Sequence, residues 1–172
     1  MKRNETLLFF DDYFKSIGLD YMIFASTLLG IIREGKMLPN DLEIDICVIG
    51  DDLTDEMIQT LKGSEKYFRS SSCKEKIGET YFHGLGNEWI GMNPIWLKKD
   101  IAYINMINSE CITMDKKYHD KENWGTLEYL NRKFNCPQNP EKWLEEWYGT
   151  DWKTPKKCSW GDNTNRIQWE KI

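Results

Sequence analysis

Hydrophobic positions along the chain follow two different spacings, and each spacing predicts a different element. Leu7, Phe10, Phe14 and Ile17 lie three or four residues apart, which places them on one side of an amphipathic helix. Residues 21–24 form a continuous apolar run of the length of a buried strand. The chain is therefore expected to start with a helix that is followed by a strand.

A second helix is predicted directly after this strand. The small residues 25–27 precede apolar residues at helical spacing, and Gly35 follows them. Ser26 or Thr27 is expected to cap this helix, because short hydroxyl side chains accept hydrogen bonds from the free backbone N–H groups of the first turn. Those N–H groups also suit an anion such as a phosphate.

The remaining segments predict a mixed sheet with flanking helices. The predicted elements are a capped helix ending near Gly63, strands near 66–70, 81–86, 89–97 and 101–107, and a last helix between Asn139 and Gly149. Residues 70–74 are the most loop-like stretch. The fold class is thus α/β (α+β), with a single domain over residues 1–155 that includes a C-terminal helical segment. Residues 156–172 are expected to form a tail in which Ile167 and Trp169 could dock.

Acidic and apolar residues alternate in the strand predicted after the turn at residues 39–41. Glu43 and Asp45 share one face of this strand, since side chains at i and i+2 point the same way, and the branched apolar residues Ile44 and Ile46 share the other. Asp41 joins the acidic face if the strand starts early. The carboxylates lie roughly 7 Å apart along the strand, by its rise of about 3.4 Å per residue.

Two interpretations of this acidic face are possible. Carboxylates crowded at one site repel each other unless a cation compensates, and a divalent metal that also binds substrate phosphates is the usual compensation. An edge strand with a wet acidic face and a buried aliphatic face gives the same alternation. The strand alone does not decide between them.

Composition and charge narrow the choice of partners. The net charge of −5 and the pI of about 5.2 argue against a surface that coats nucleic acid. No apolar run is long enough for export or for spanning a bilayer, so the chain is expected to be cytoplasmic. The five cysteines are odd in number and include no C-x-x-C pair, which predicts reduced thiols.

The aromatic residues and histidines offer weaker signals. All eight tryptophans follow Glu88, and Trp147, Tyr148 or Trp152 would suit a sugar-binding platform. Packing of the last helix explains Trp143 and Trp147 more simply. His83 and His119 stand outside any motif, so structural roles are expected for both.

The segment from residue 25 to 45 resembles the LicD/fukutin-related family of phosphotransferases, which belongs to the nucleotidyltransferase superfamily. The family signature reads G-T-L-L-G, then R, then I-P-W-D-D-D-I-D; this chain has A-S-T-L-L-G, then Arg33, then L-P-N-D-L-E-I-D. A second match is the stretch at residues 139–149 with the later Thr154-Pro155, which is similar to the family's P-x-x-Y-L-x-x-x-Y-G ending. The resemblance covers about residues 11–155.

This resemblance implies a reaction and a set of partners. Family members transfer a phospho-alcohol, such as phosphocholine or ribitol phosphate, from a CDP-linked donor to a hydroxyl of a glycan or glycolipid, and they release CMP. The expected cofactor is Mg²⁺ or Mn²⁺, and neither nucleic acid nor a membrane span is expected. Two other functions stay open: a minimal nucleotidyltransferase that transfers NMP with release of pyrophosphate, and a degenerate member that binds a nucleotide without turnover.

The same resemblance assigns residues to roles. Glu43 and Asp45 are expected to ligate the metal and, with Asp41, to form the catalytic group. Substrate contacts are expected from five further residues: Ser26, Thr27, Arg33, Lys36 and Asn105.

Three departures from the family pattern bear on activity. Leu42 stands where members carry the middle one of three acids, and Asn40 replaces a Trp. The third acid of the superfamily would lie on a neighbouring strand, and the best match to its pattern, residues 103–106, offers Asn105 instead. Asp100 is the alternative metal ligand, although the odd spacing from Asn105 allows only one of the two to face the metal without a bulge.

Overall fold

The structure is a computed structural model that describes the backbone of residues 2–73, 76–107, 110–156 and 168–171. Side chains at 71–73, 76, 78, 105–107, 110–111 and 168–171 fall outside this description. The helices are α1 (Lys2–Ser16), α2 (Ala25–Glu34), α3 (Asp55–Gly63) and α4 (Pro140–Tyr148). Short 3₁₀ turns occupy Gly50–Asp52, Lys116–Tyr118 and Lys121–Asn123. No helix within these ranges has the length and apolar character needed to cross a membrane.

Ten strands within the described ranges form one mixed sheet. In chain order they are β1 (Met22–Ile23), β2 (Glu43–Ile49), β3 (Tyr67–Cys73), β4 (Lys76–His83), β5 (Trp89–Lys98), β6 (Ile101–Ile107), β7 (Glu110–Asp115), β8 (Gly125–Tyr129), β9 (Arg132–Cys136) and β10 (Gln168–Lys171). The main path through the sheet is β10-β7-β6-β5-β2-β1-β9-β8, and the β3–β4 hairpin joins at β5.

The long strand β5 organises the sheet. One edge of β5 pairs in parallel with β2 over residues 89–95, and the other edge pairs first with β4 and then with β6. The β3–β4 hairpin is therefore confined to the first half of β5. That half lies beside the acidic start of β2, so the hairpin and the acidic residues share one region of the sheet.

Helices cover the two faces of the sheet differently. On one face, Phe10 and Phe14 of α1 contact Phe82 of β4, with ring centroids 5.6 and 6.1 Å apart, and all three side chains are buried. On the other face, Phe24 contacts Trp143 and Trp147 of α4, at 5.0 and 5.2 Å between ring centroids. The acidic residues lie on this second face, beyond the part that α4 covers.

Most of the predicted elements are confirmed. The structure has the first helix, with Leu7, Phe10 and Phe14 buried, the end of α2 at Gly35, and the helix capped by Asn139. The α/β fold class with a mixed sheet is confirmed as well. The prediction of a loop at residues 70–74 was wrong up to residue 73, because Ser70–Cys73 continue β3 by pairing with β4.

Parts of the sheet were not predicted from the sequence. Strands β7, β8 and β9 had no predicted counterpart, and β10 places residues 168–171 on the edge of the sheet beside β7. Trp169 pairs with Ile112 in that ladder. Cys47 and Cys136 are buried free thiols, as the cysteine pattern predicts.

Candidate active site

The junction between β1 and α2 brings the start of a helix against the acidic strand. Ala25 has a φ of +40°, in the left-handed region that non-glycine residues rarely adopt, and α2 begins at this residue. Helix capping by Ser26 or Thr27 was a wrong prediction, because the N-cap is Phe24 and it makes no side-chain capping bond. Ser26 therefore lies inside the first turn, where its backbone N–H is still free to bond outside the helix.

Ser26 joins two of the predicted acids. Its backbone N–H donates to Oδ2 of Asp45 at 3.1 Å, and its hydroxyl Oγ lies 2.5 Å from the same oxygen. The hydroxyl is also within hydrogen-bond distance of Oδ2 of Asp41. A serine hydroxyl carries one proton, so it can donate to only one of the two carboxylates at a time. The first turn of α2 thus receives the carboxylate of Asp45 where the sequence predicted a phosphate.

Two further features fix this arrangement. The hydroxyl oxygen of Thr27 accepts a hydrogen bond from the backbone N–H of Asp45 at 2.8 Å, and Thr27 is buried. Gly30 packs so closely that a Cβ would lie 2.8 Å from the backbone of Lys36 and Leu38. Thr27 therefore orients the acidic strand, which is a different role from the substrate contact that the resemblance implies.

A glycine opens a space on the sheet beside the acids. Gly91 of β5 lies directly opposite Asp45 of β2 on one side and Tyr81 of β4 on the other. A Cβ at position 91 would lie 2.0 Å from Oε1 of Glu43. The carboxylate of Glu43 therefore occupies the space over Gly91, and only a glycine leaves room for it there.

Glu43 and Asp45 form an electrostatically strained pair. Burial of its carboxylate raises the pKa of Glu43, and the charges of Asp45, Glu79 and Asp41 raise it further. Burial also raises the pKa of Asp45, against the hydrogen bond from Ser26, which lowers it. Both groups thus hold protons more strongly than ordinary carboxyls, and a nearby cation would relieve this strain.

Glu79 is the site residue that the sequence-based reasoning missed. It lies on β4, and its charge raises the pKa of both Glu43 and Asp45. Burial raises the pKa of Glu79 itself, while a hydrogen bond from Tyr81 and the charge of Arg69 lower it. The sequence does contain a signal for Glu79. Glu79, Tyr81 and His83 alternate along the chain, and this alternation extends the predicted strand at 81–86 towards the N-terminus.

The absence of an acid at position 42 affects the site less than the family signature suggests. The carbonyl of Leu42 accepts a hydrogen bond from Trp89 N–H at 3.0 Å, so the β2–β5 ladder includes it. By strand alternation its side chain points away from the face of Glu43, and Leu42 is 45% exposed. The acidic face consists of Asp41, Glu43 and Asp45 without a contribution from position 42.

Arg33 and Asp100 are not brought to the acidic face by the contacts of the structure. The guanidinium of Arg33 donates to Oε1 of Glu34 at 2.7 Å and to the carbonyl of Trp152 at 3.1 Å. Asp100 is exposed in the β5–β6 turn, at the opposite end of β5 from Gly91 and roughly 20 Å away by the strand rise. The prediction of Asp100 as a metal ligand therefore has no geometric support.

Two other predicted contacts stay predictions. Lys36 is exposed after the end of α2. Asn105 lies in β6, which β5 separates from β2, and its side chain is outside the described part of the structure.

The oxygen atoms around Gly91 are suitable ligands for a divalent metal. Oε1 of Glu43 and Oδ1 of Asn93 are buried acceptors without a hydrogen-bond partner, and both residues lie on the face of Asp45. Oxygen ligands are those that Mg²⁺ prefers, and it commonly binds one or two carboxylates with substrate phosphates completing the shell. Within the described residues, no three His, Cys, Asp or Glu side chains are grouped to hold a metal by themselves.

Comparison with known protein families identifies this arrangement. The family model described as LicD/FKTN/FKRP, nucleotidyltransferase domain, matches residues 18–139. This match spans most of the chain and includes β1, α2, β2 and the β3–β4 hairpin. The chain belongs to the LicD/FKTN/FKRP family. The acidic face lies within the matched residues, and a general transferase role follows from the family.

A solved structure supports the same fold. The lincosamide antibiotic adenylyltransferase LnuA, crystallised with lincomycin bound, superposes with a TM-score of 0.54. The two chains share 16% sequence identity over 81% of this chain and 83% of that chain, so the likeness concerns the fold alone. No curated protein sequence matches the chain.

Proposed function

We propose that the protein is a metal-dependent LicD-type phosphotransferase. It would move a phospho-alcohol such as phosphocholine or ribitol phosphate from a CDP-linked donor to a hydroxyl of a glycan or glycolipid, with release of CMP. The observation that carries the proposal is the acidic face of Asp41, Glu43 and Asp45 at the first turn of α2, with Oε1 of Glu43 unpartnered over Gly91.

The residues of this face have separate tasks in the proposed reaction. Asp45 is held by Ser26 and Thr27 and Glu43 has a free acceptor oxygen, so these two carboxylates would hold Mg²⁺ or Mn²⁺, with Asp41 beside them. When bound, the metal would neutralise charge on the diphosphate, which is the main requirement of phosphoryl transfer. Glu79 adds negative charge at the same place and would strengthen retention of the cation.

A transfer of NMP with release of pyrophosphate is the second candidate. It is favoured by the likeness to LnuA, whose name describes an adenylyltransferase. Both reactions need the same acidic face, but the acceptor hydroxyl attacks a different phosphorus atom of the nucleotide in each. The released product therefore separates them: CMP indicates the first reaction and pyrophosphate indicates the second.

The test incubates the purified protein with Mn²⁺ or Mg²⁺, a mixture of glycans as acceptors, and CDP-choline, CDP-ribitol or CDP-glycerol. We expect CMP release by the wild type and a loss of at least about a hundredfold in Glu43→Gln and in Asp45→Asn, since charge stabilisation at transferring phosphates contributes effects of that size. Parallel reactions with CTP or ATP are assayed for pyrophosphate.

Asp100→Asn is the matched control. It removes an exposed acid far from Gly91, so CMP release is expected to stay at the wild-type rate. Equal background rates in the wild type and both site variants would contradict the proposal and favour a degenerate nucleotide-binding member.

A further inference from the structure

Binding of a diphosphate at the acidic face requires a cationic side chain that faces it. The sequence suggests Arg33, but its Nε and Nη1 groups already donate to Glu34 and to the carbonyl of Trp152, and its side chain is 14% exposed. Those contacts tie the end of α2 to the segment after α4. The cation must therefore come from another residue on the face that carries Asp45.

Strand register places a second arginine on this face. Arg69 of β3 lies opposite Tyr81 of β4, Tyr81 lies opposite Gly91 of β5, and Gly91 lies opposite Asp45 of β2. Directly opposite residues in neighbouring strands point to the same face of a sheet. Arg69, Tyr81, Gly91 and Asp45 thus form one row across four strands, with the space over Gly91 in the middle.

The side chain of Arg69 is held along this row. Its guanidinium carbon lies 4.2 Å from the centroid of the Tyr81 ring and 5.9 Å from that of Phe68. Arg69 is exposed, and Tyr81 is half-buried beneath it. A side-chain hydrogen bond also joins Arg69 and Tyr81. A guanidinium has five N–H groups at its edge, so one such bond does not use up those that can bind paired phosphate oxygens.

The electrostatics agree with this placement. The charge of Arg69 lowers the pKa of Glu79, and the charge of Glu79 in turn raises the pKa of Glu43 and Asp45. Arg69 is therefore close enough to Glu79 to act on its charge, and its own side chain is exposed. A metal would hold the inner part of a diphosphate, and Arg69 would face the outer part.

We propose that Arg69 is the cation that binds the phosphate groups of the nucleotide donor, and that Tyr81 holds its guanidinium in position. The proposal rests on the proposed function in one respect, namely that a nucleotide diphosphate binds at the acidic face. It replaces Arg33 in the role that the family resemblance implies for that residue.

The test measures binding of CDP in the presence of Mg²⁺ by calorimetry. Loss of one charge-assisted contact weakens binding by about tenfold or more, so Arg69→Ala is expected to raise the Kd of CDP by at least that factor. Arg69→Lys keeps the charge but loses the planar stacking, and an intermediate Kd is expected. Lys98→Ala, which removes an exposed cation at the far end of β5, is expected to match the wild type.

A purely structural role for Arg69 as the counter-ion of Glu79 predicts a different pattern. In that case Glu79→Gln would remove the need for the arginine, and the double variant Arg69→Ala/Glu79→Gln would bind CDP like Glu79→Gln alone. We expect the double variant to bind CDP at least about tenfold more weakly than Glu79→Gln. Equal Kd values in those two variants would overturn the proposal.

The same measurements separate this inference from the proposed function. If the wild type binds CDP and Glu43→Gln weakens binding, but Arg69→Ala does not, Arg69 is excluded while the proposed function stands. If Arg33→Ala is the arginine variant that loses affinity, the assignment returns to Arg33. If the wild type does not bind CDP with Mg²⁺ at all, both proposals are wrong.

Discussion

The two central carboxylates differ in how the surrounding chain satisfies them. Asp45 receives the backbone N–H and the hydroxyl of Ser26, so its orientation is fixed before any ligand binds. Oε1 of Glu43 is buried over Gly91 without a hydrogen-bond donor. A buried, unpartnered acceptor costs free energy in the folded state. Glu43 is therefore the residue whose environment would improve most if the proposed cation bound there.

The space over Gly91 can be tested with a single methyl group. In Gly91→Ala, the new Cβ would lie 2.0 Å from Oε1 of Glu43, so the carboxylate has to move. Because the atom in conflict is the end of a flexible side chain, the fold is expected to survive. CMP release is expected to fall by at least about tenfold, since a misplaced charged ligand costs about 1.4 kcal/mol or more.

Gly63→Ala is the control for this change. No atom lies within 4 Å of a Cβ at position 63, and this helical residue is remote from the acidic strand. Its activity is expected to equal that of the wild type. A full rate of CMP release in Gly91→Ala, with an unchanged melting temperature, would show that the position of Glu43 does not matter.

The hydroxyl of Ser26 is expected to set the pH at which the site becomes active. Its hydrogen bond lowers the pKa of Asp45, so Ser26→Ala removes a lowering contribution and the pKa of Asp45 rises. More of the acid is then protonated at a given pH, and the acid limb of the pH–rate profile moves to higher pH. Profiles of CMP release against pH measure this shift.

Ser16→Ala supplies the comparison, because the hydroxyl of Ser16 donates to the carbonyl of Tyr13 at the end of α1, away from the acidic face. Its profile should coincide with that of the wild type. Coincidence of the Ser26→Ala profile with the wild type would mean that protonation of Asp45 does not limit the rate.

The sequence predicted those site residues whose grouping depends on local structure. Ser26, Asp41, Glu43 and Asp45 lie within one strand, one turn and the helix before them, so alternation and a short return of the chain suffice to bring them together. Glu79 depends on strand pairing between distant segments. Such pairing carries no fixed spacing along the chain, which is why that residue was missed.

At the scale of elements, α4 is held to the sheet through a buried histidine. Nε2 of His119 accepts a hydrogen bond from the indole N–H of Trp143 at 3.2 Å, and the ring of Trp143 stacks on Trp147 at 4.9 Å. Burial lowers the pKa of His119 to about 4. The imidazole is therefore neutral in the folded protein at neutral pH, in keeping with a structural role.

Protonation of His119 is expected to destabilise the fold in acid. Its folded-state pKa of about 4 lies below the ordinary value of 6.5, so the unfolded chain binds a proton first as the pH falls. His119 alone should lower the free energy of unfolding by roughly 3 kcal/mol between pH 6.5 and pH 4, at about 1.4 kcal/mol per pKa unit, and this contribution is the difference between the wild type and His119→Gln. Urea denaturation at several pH values measures it.

His119→Gln provides the comparison, since glutamine does not titrate but keeps an acceptor for Trp143. Its stability should depend less on pH over this interval, although it is expected to be lower at pH 7. The exposed His83 stacks on Phe68, and His83→Gln should keep the pH dependence of the wild type. Equal pH dependence in the wild type and His119→Gln would contradict the assignment.

The elements that could be predicted are those with a strong local pattern. Helix α1 has regular apolar spacing, and α4 has a cap, a proline at its start and a glycine after its end. The β8–β9 hairpin has mostly half-buried and exposed residues, and Leu130 and Asn131 at its turn both have positive φ. The strands lack an apolar run and the turn lacks a glycine, so the hairpin is recognised only from the strand pairing in the structure.

For the molecule as a whole, the acidic face opposes folding. Burial raises the pKa of Glu43, Asp45 and Glu79, which means that the folded state resists ionising them. Natural proteins accept such a cost chiefly at functional sites. The pH dependence of the stability of the metal-free protein should therefore carry a signature of the site, and its measurement needs no knowledge of the substrate.

That signature is a loss of stability as the pH rises. Unfolded carboxyls titrate near pH 4, whereas Glu43 and Asp45 keep their protons to higher pH when folded, so the folded state binds more protons in between. These two carboxyls should lower the free energy of unfolding of the metal-free protein as the pH rises across this interval, by about 1.4 kcal/mol for each unit of raised pKa, a contribution opposite in sign to that of His119. Glu43→Gln should lose less and be more stable than the wild type at pH 8.

Addition of Mg²⁺ or Mn²⁺ at pH 8 should reverse this order. A cation that binds the folded state stabilises it by mass action, so the wild type should gain melting temperature while Glu43→Gln gains little. Asp100→Asn serves as the control and should follow the wild type with and without metal, because its acid is exposed in the β5–β6 turn. Equal metal-induced shifts in melting temperature in the wild type and Glu43→Gln would mean that the cation binds elsewhere. The raised carboxyl pKa values would then have no connection with metal binding.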